Sequence, residues 1–228
     1  MIMKTHFMNA MDNLKIMLAD LAAQAEGAAS KAVKAVESCD CDLAAGVIVN
    51  DSEIDAAEIR IEEECLKILA LYQPVAGDLR SVVTILKVNG EIERVGDLAV
   101  NIAERVADMA LYRNRIVENF DFHDMVIKAC EMLRLALDAF TYGNAELAAG
   151  VIKMDDALDE LHRSGYGRVK TMILAHPDAA QYYLDCLTVS RCLERIGDAA
   201  TNICEDVIYL ESGRIVRHCH GSFGENGK

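Results

Sequence analysis

Four pairs of acidic residues in this chain are spaced as cation ligands would be. Glu93 and Asp97 lie in the stretch Glu93-Arg94-Val95-Gly96-Asp97-Leu98-Ala99-Val100-Asn101-Ile102-Ala103-Glu104. Glu194 and Asp198 lie in a near copy, Glu194-Arg195-Ile196-Gly197-Asp198-Ala199-Ala200-Thr201-Asn202-Ile203-Cys204-Glu205, 101 positions later. Asp51 and Asp55 precede the first copy, and Asp155 and Asp159, 104 positions on, precede the second. Residues four apart share one face of a helix, so each pair projects carboxylate oxygens to one side. The 38 positions from Asp55 to Glu93 suit a helix end, a turn and a return along a neighbour, which sets the two pairs of each half face to face.

Four carboxylates in a half-buried seam repel one another. At an effective dielectric of about 20, two unit charges about 4 Å apart cost roughly 4 kcal/mol, so such a set needs protons, arginines or a multivalent cation. Carboxylate sets on bundle helices suit hard or borderline ions such as iron, manganese, magnesium or zinc. The competing reading is an ordinary solvated face neutralised by Arg80, Arg94 and Arg195. Recurrence of both pairs in both halves favours the cation. So does the place of Glu93 in a heptad column with Leu79, Leu86, Val100 and Ala107. Asn101 and Asn202 remain open between ligands, supporting donors and helix-packing residues. Gly96 and Gly197 weaken a helix relative to Ala, which points to a close approach of a neighbour there.

The elements that must position these groups are helices. Phe7, Met11, Leu14, Leu18, Leu21, Ala25 and Ala32 place a first amphipathic helix over about 5–38. Val47, Ile54, Ile61 and Ile68 form the seam of a second over about 43–72, stopped by Gln73-Pro74. A third follows over about 78–112, with Asp78 available as its cap. After a connector near 113–122 the plan repeats: a fourth helix over about 123–142, a fifth opening with Ala148-Ala149-Gly150-Val151-Ile152 in the pattern of Ala44-Ala45-Gly46-Val47-Ile48, and a sixth over about 178–211. The expected fold is all-α, two pseudo-symmetric three-helix bundles made of six long helices, with halves at 1–115 and 116–218 and a disordered tail over 219–228. Apolar stripes left on helix surfaces would favour a homodimer.

Composition narrows the function. A formal charge of −14 argues against a nucleic-acid partner, which needs basic patches. Lys4, Asp12, Lys15 and Asp20 interrupt the apolar core a signal peptide requires, and no apolar run is long enough for a bilayer, so a cytoplasmic protein without membrane insertion is expected. The eight cysteines are scattered through helical patterns and read mainly as small core residues. Neither Cys39-Asp40-Cys41-Asp42 nor His218-Cys219-His220 has the paired spacing of a zinc site. No nucleophile with its base and no phosphate-cradling loop is recognisable, so the chain is expected not to be an enzyme.

The duplicated Glu-Arg-Val/Ile-Gly-Asp stretches, the turn Gln73-Pro74-Val75-Ala76-Gly77-Asp78-Leu79-Arg80 and the ending Ile208 to His218 together resemble the PhoU family of phosphate-signalling regulators, from about His6 to His218. The resemblance implies paired bundles that carry metal clusters, one on Asp51, Asp55, Glu93 and Asp97 and one on Asp155, Asp159, Glu194 and Asp198. It also implies a cytoplasmic negative regulator linking a phosphate ABC transporter, through its ATPase, to a sensor histidine kinase. Ala199 stands where the family often has His, Cys204 stands for an expected Ala, and His162 falls opposite Glu58 when the halves are aligned. Glu58 and His162, like the two asparagines, are candidates to support the ligands.

Two other functions compete. One is a cytosolic accessory of a different, low-affinity phosphate permease. The other is a ferritin-like di-iron oxidase, which calls for two Glu-x-x-His sets, whereas only Asp159-Glu160-Leu161-His162 approximates one.

Overall fold

The computed structural model describes residues 2–116 and 118–213, and all regular structure among them is helical. In chain order the helices are α1 (Ile2–Ser38), α2 (Cys41–Tyr72), α3 (Ala76–Leu111), α4 (His123–Tyr142), α5 (Ala145–Ile152), α6 (Asp155–Ala175) and α7 (Ala180–Ser212). Short 3-10 turns, Arg113–Arg115 and Pro177–Ala179, lie in the connections. The proposed tail, the His218-Cys219-His220 cluster and the family-like ending beyond Gly213 fall outside the described residues.

The breaks between helices follow local chemistry. Cys39 turns left-handed at φ 52, and the Asp40 carboxylate accepts from Leu43 N at 2.9 Å to cap α2. Gln73 ends α2 at φ 47, and Gly143 ends α4 at φ 60, where a residue without Cβ meets no strain. Asn144 then caps α5 by accepting from Leu147 N at 3.0 Å. Asp78 is not the cap of α3: the helix starts two residues earlier behind Val75, which offers no side-chain cap, and Asp78 sits in the first turn.

The six-helix plan holds with one interruption. The fifth run is divided because Met154 N donates to Val151 O (2.8 Å) and Ala157 N to Met154 O (3.2 Å). This i to i−3 spacing tightens the chain for one turn, and Asp155 restarts it at the head of α6.

α3 packs against α1 and α2, and α7 packs against α4, α5 and α6. The two groups meet along an α3/α7 seam, so one continuous core runs through the molecule. Val47, Ile54, Ile61 and Ile68 are all buried, as their heptad spacing requires. On α3 the buried stripe is instead Val82, Ile85, Val88, Ile92, Val95, Ala99 and Ile102, and the column holding Glu93 runs along its half-exposed border. Cys65, Cys186, Cys192 and Cys204 are buried core residues, whereas Cys41 is exposed.

Candidate metal centre

Each acidic set forms where a helix passes the glycine of the repeated motif. A Cβ on Gly96 would stand 3.1 Å from Ile54 Cγ2 and 3.4 Å from Asp51 Oδ1. A Cβ on Gly197 would collide with Leu158 Cδ2 and stand 3.5 Å from Asp155 Oδ1. Ile54 and Leu158 are equivalent under the repeat, as are Asp51 and Asp155, so the two halves share one register. The glycines therefore let α2 and α6 approach closely enough to lay a carboxylate against α3 and α7.

The carboxylates of each set act on one another. Burial raises the proton affinity of Asp51, and Asp55 and Asp97 add to it. Glu93 is raised by burial and then by Asp97, Asp55, Glu58 and Asp51. In the second half, burial, Asp159, Asp198 and Asp156 push Asp155 up to about 6, with Thr201 drawing it back. Glu194 is raised by burial, Asp198, Asp159 and Asp155, against the pull of Arg191. Asp198 is raised by burial and Asp159, against Arg94 and Arg195. All eight residues thus fall into two mutually repelling sets, one per half.

The chemistry of these sets fits a hard cation. Every donor is a carboxylate, the preferred ligand of such ions. Asp155 Oδ1 is buried and meets no hydrogen-bond donor, so it retains capacity to bind a proton or a cation. As the side chains stand, no three His, Cys, Asp or Glu groups among the described residues converge tightly enough to hold an ion.

The supporting candidates divide. Asn89 Nδ2 donates to Glu58 Oε1 at 2.9 Å, and Glu58 adds its charge to the first set. At the equivalent positions, His162 Nδ1 and Ser190 Oγ are paired at 2.7 Å. The asparagines lie elsewhere: Asn101 Nδ2 donates to Asp97 O at 2.9 Å within its own helix, and Asn202 Nδ2 reaches across the seam to Glu91 Oε1 at 3.2 Å. Sequence reading did not find Glu91, nor the Lys87 to Asp206 ion pair (2.9 Å) further along the same seam. Their partners are more than a hundred positions away, beyond the reach of any local periodicity.

Comparison with known proteins places the chain in a family. A family model described as the PhoU domain matches residues 18–106 and again 122–207, each match containing one acidic set. A phosphate-specific transport system accessory protein PhoU homolog from Aquifex aeolicus is 36% identical over 211 residues, 92% of this chain and 95% of the relative. The crystal structure of PhoU from Pseudomonas aeruginosa superposes with a TM-score of 0.88 at 32% identity, over 91% of this chain and all of that one. That of the phosphate transport system regulatory protein PhoU from Streptococcus pneumoniae gives 0.82 at 31% identity, over 92% of this chain and 99% of its own. With its domain matched twice and its fold shared over about nine-tenths of its length, this chain belongs to the PhoU family.

Proposed function

We propose that this chain is a cytoplasmic negative regulator of phosphate uptake and phosphate-starvation signalling. In this reading it acts by docking to the ATPase of a phosphate ABC transporter and to the cognate sensor histidine kinase, rather than by catalysing a reaction. The observation that carries the reading is the twice-matched family domain with a full acidic set in each copy. Relatives named for the phosphate-specific transport system support the transport context.

Asp51, Asp55, Glu93 and Asp97 would hold one cation cluster, and Asp155, Asp159, Glu194 and Asp198 the other, with iron, zinc, manganese or magnesium as the candidate ions. A bound cation supplies the positive charge that the repelling carboxylates lack. The protein's own contribution is to hold α2 against α3 and α6 against α7 at Gly96 and Gly197, so that these helices keep a fixed surface for the partners. We further propose that the chain works as a homodimer.

Deletion of the gene in its host tests this. Phosphate-starvation genes should become active in phosphate-rich medium, and a copy with both acidic sets replaced should restore repression poorly. Normal repression in the deletion strain, with no second copy of the gene present, overturns the regulator reading. It would shift weight to an accessory role beside another phosphate permease.

A further inference from the structure

A cavity of about 500 Å³ opens between α1, α3, α4 and α7, where the two halves meet. That volume falls within the roughly 300–1,000 Å³ of small-molecule sites. Its walls include Leu18 and Ala22 of α1, Ile85 and Ile92 of α3, and Leu137 and Phe140 of α4. No residue that lines it belongs to either acidic set.

The shape of the cavity follows α3. Gly77, Ser81, Ile85 and Ile92 all line it, at separations that keep them on one face, and at the rise of an α-helix they span about 22 Å. The space is therefore drawn out along the helix rather than rounded. On the α1 side Ala19 and Ala22 bring only methyl groups to the wall, which leaves it unfilled. A void of this size between apolar side chains forfeits packing that protein interiors otherwise keep.

The polar groups gather at the open side. Ala22, Ile85 and Ile92 are buried, whereas Lys15, Ala19, Thr141 and Glu211 are exposed. Thr141 Oγ1 is engaged with Leu137 O at 2.8 Å and Ser81 Oγ with Gly77 O at 3.1 Å. Lys15 takes part in no ion pair among the described residues. Arg80, next to Ser81, adds positive charge at this end: its Nη1 lies 2.8 Å from where a Cβ on Gly213 would stand, and its buried Nε meets no acceptor. Glu211 lies across the end of α4, with Oε1 2.9 Å from where a Cβ on Gly143 would stand.

We propose that this cavity binds a single-chain anionic amphiphile, its hydrocarbon chain laid along α3 between α1 and α4 and its acidic head at Lys15. The long apolar walls suit a chain better than a compact ring, and the unpaired ammonium suits a carboxylate or phosphate head. A free fatty acid and a lysophospholipid share this chemistry. The site is independent of the cation reading, and its occupant touches helices of both halves.

Calorimetric titration of the full chain tests this, with palmitate and lysophosphatidylglycerol as probes, each kept below the concentration at which it forms micelles. One site per chain is expected, and the probe that binds more tightly tells a free fatty acid from a lipid headgroup as the source. Lys15→Glu should weaken binding by about tenfold or more, and Lys15→Arg should stay within about threefold of the parent. Dodecyltrimethylammonium, whose head has the opposite charge, should bind at least about tenfold more weakly than the acidic probes. Ala19→Phe should close the opening and abolish binding, with its urea midpoint showing that it folds; Lys15 is exposed, so its variants decide the matter even if Ala19→Phe does not fold. Absence of binding by both acidic probes overturns the proposal, as does binding that survives Lys15→Glu, or a folded Ala19→Phe, unweakened.

Discussion

His162 Nδ1 and Ser190 Oγ lie 2.7 Å apart, at the positions that Glu58 and Asn89 hold in the first half. A charged carboxylate bonded to an amide has been exchanged for an imidazole bonded to a hydroxyl, so the halves share geometry at this point without sharing charge. Burial, with Arg191, holds His162 below its ordinary range of about 6.5, while Asp159 acts to raise it. NMR titration of the metal-stripped chain should therefore find His162 neutral at pH 7, and Asp159→Asn should lower its pKa further. The depressed value contributes stability that is present above the unfolded pKa and lost as pH falls through the folded one. A His162 titrating above the free imidazole would contradict this placement.

The carboxylates give the opposite pH dependence. Asp155 is pushed up to about 6 from 3.8, and Asp51, Glu93, Glu194 and Asp198 shift in the same direction. A raised folded-state pKa means the folded chain holds the proton more tightly than the unfolded chain. The stabilisation is complete below the unfolded value and lost as pH rises through the folded one. In EDTA, Tm should fall as pH rises from about 4.5 to about 7, and Asp155→Asn should flatten the slope. Saturating manganese should reverse the trend, since ligands bind metal deprotonated. A metal-free Tm that rises across this window would show the sets to be compensated by other means.

The glycines of the repeated motif should differ in tolerance. A Cβ at position 197 meets the fully buried Leu158, whereas one at 96 meets Ile54 at 3.1 to 3.2 Å. Overpacking costs ~1–3 kcal/mol against a helix-propensity gain of ~1 kcal/mol. Gly197→Ala should lose about 1–2 kcal/mol in urea unfolding, and Gly96→Ala should lie within about 1 kcal/mol of the parent. Equal effects at the two positions would deny the closer approach in the second half.

Much of this arrangement was legible in the sequence, and what was not has identifiable causes. The duplicated motifs fixed the register of α2 with α3 and of α6 with α7, because a helical face and its glycine notch repeat locally. The interruption at Lys153 and Met154 was hidden, since both residues keep right-handed helical dihedrals and only the hydrogen-bond spacing changes. The different employment of Asn101 and Asn202 was also hidden. They occupy equivalent positions, but only α7 finds a glutamate, Glu91, within reach of the amide. The column through Glu93 reads as apolar, yet it borders the core, because the buried stripe of α3 is set by contact with α1, α2 and α7 together.

The seam itself can be measured. Lys87 Nζ lies 2.9 Å from Asp206 Oδ1, with the aspartate 1% exposed, and 5.2 Å from the Tyr209 ring centroid. A double-mutant cycle with Lys87→Met and Asp206→Asn should give a coupling of about 1–3 kcal/mol. The exposed Lys67 and Glu64 pair, at a similar 3.0 Å, should give no more than about 0.5 kcal/mol. Equal couplings would mean that the halves are not joined through Lys87.

The central claim is that each half assembles its own carboxylate site for a cation. Elemental analysis of the purified chain beside the Glu93→Ala, Asp97→Ala double variant tests it most directly. The account expects the double variant to lose the metal of the first set and to retain that of the second, because α6 and α7 supply Asp155, Asp159, Glu194 and Asp198 without help from α2. Unchanged metal stoichiometry would contradict it and leave the first acidic set a solvated or ion-paired face.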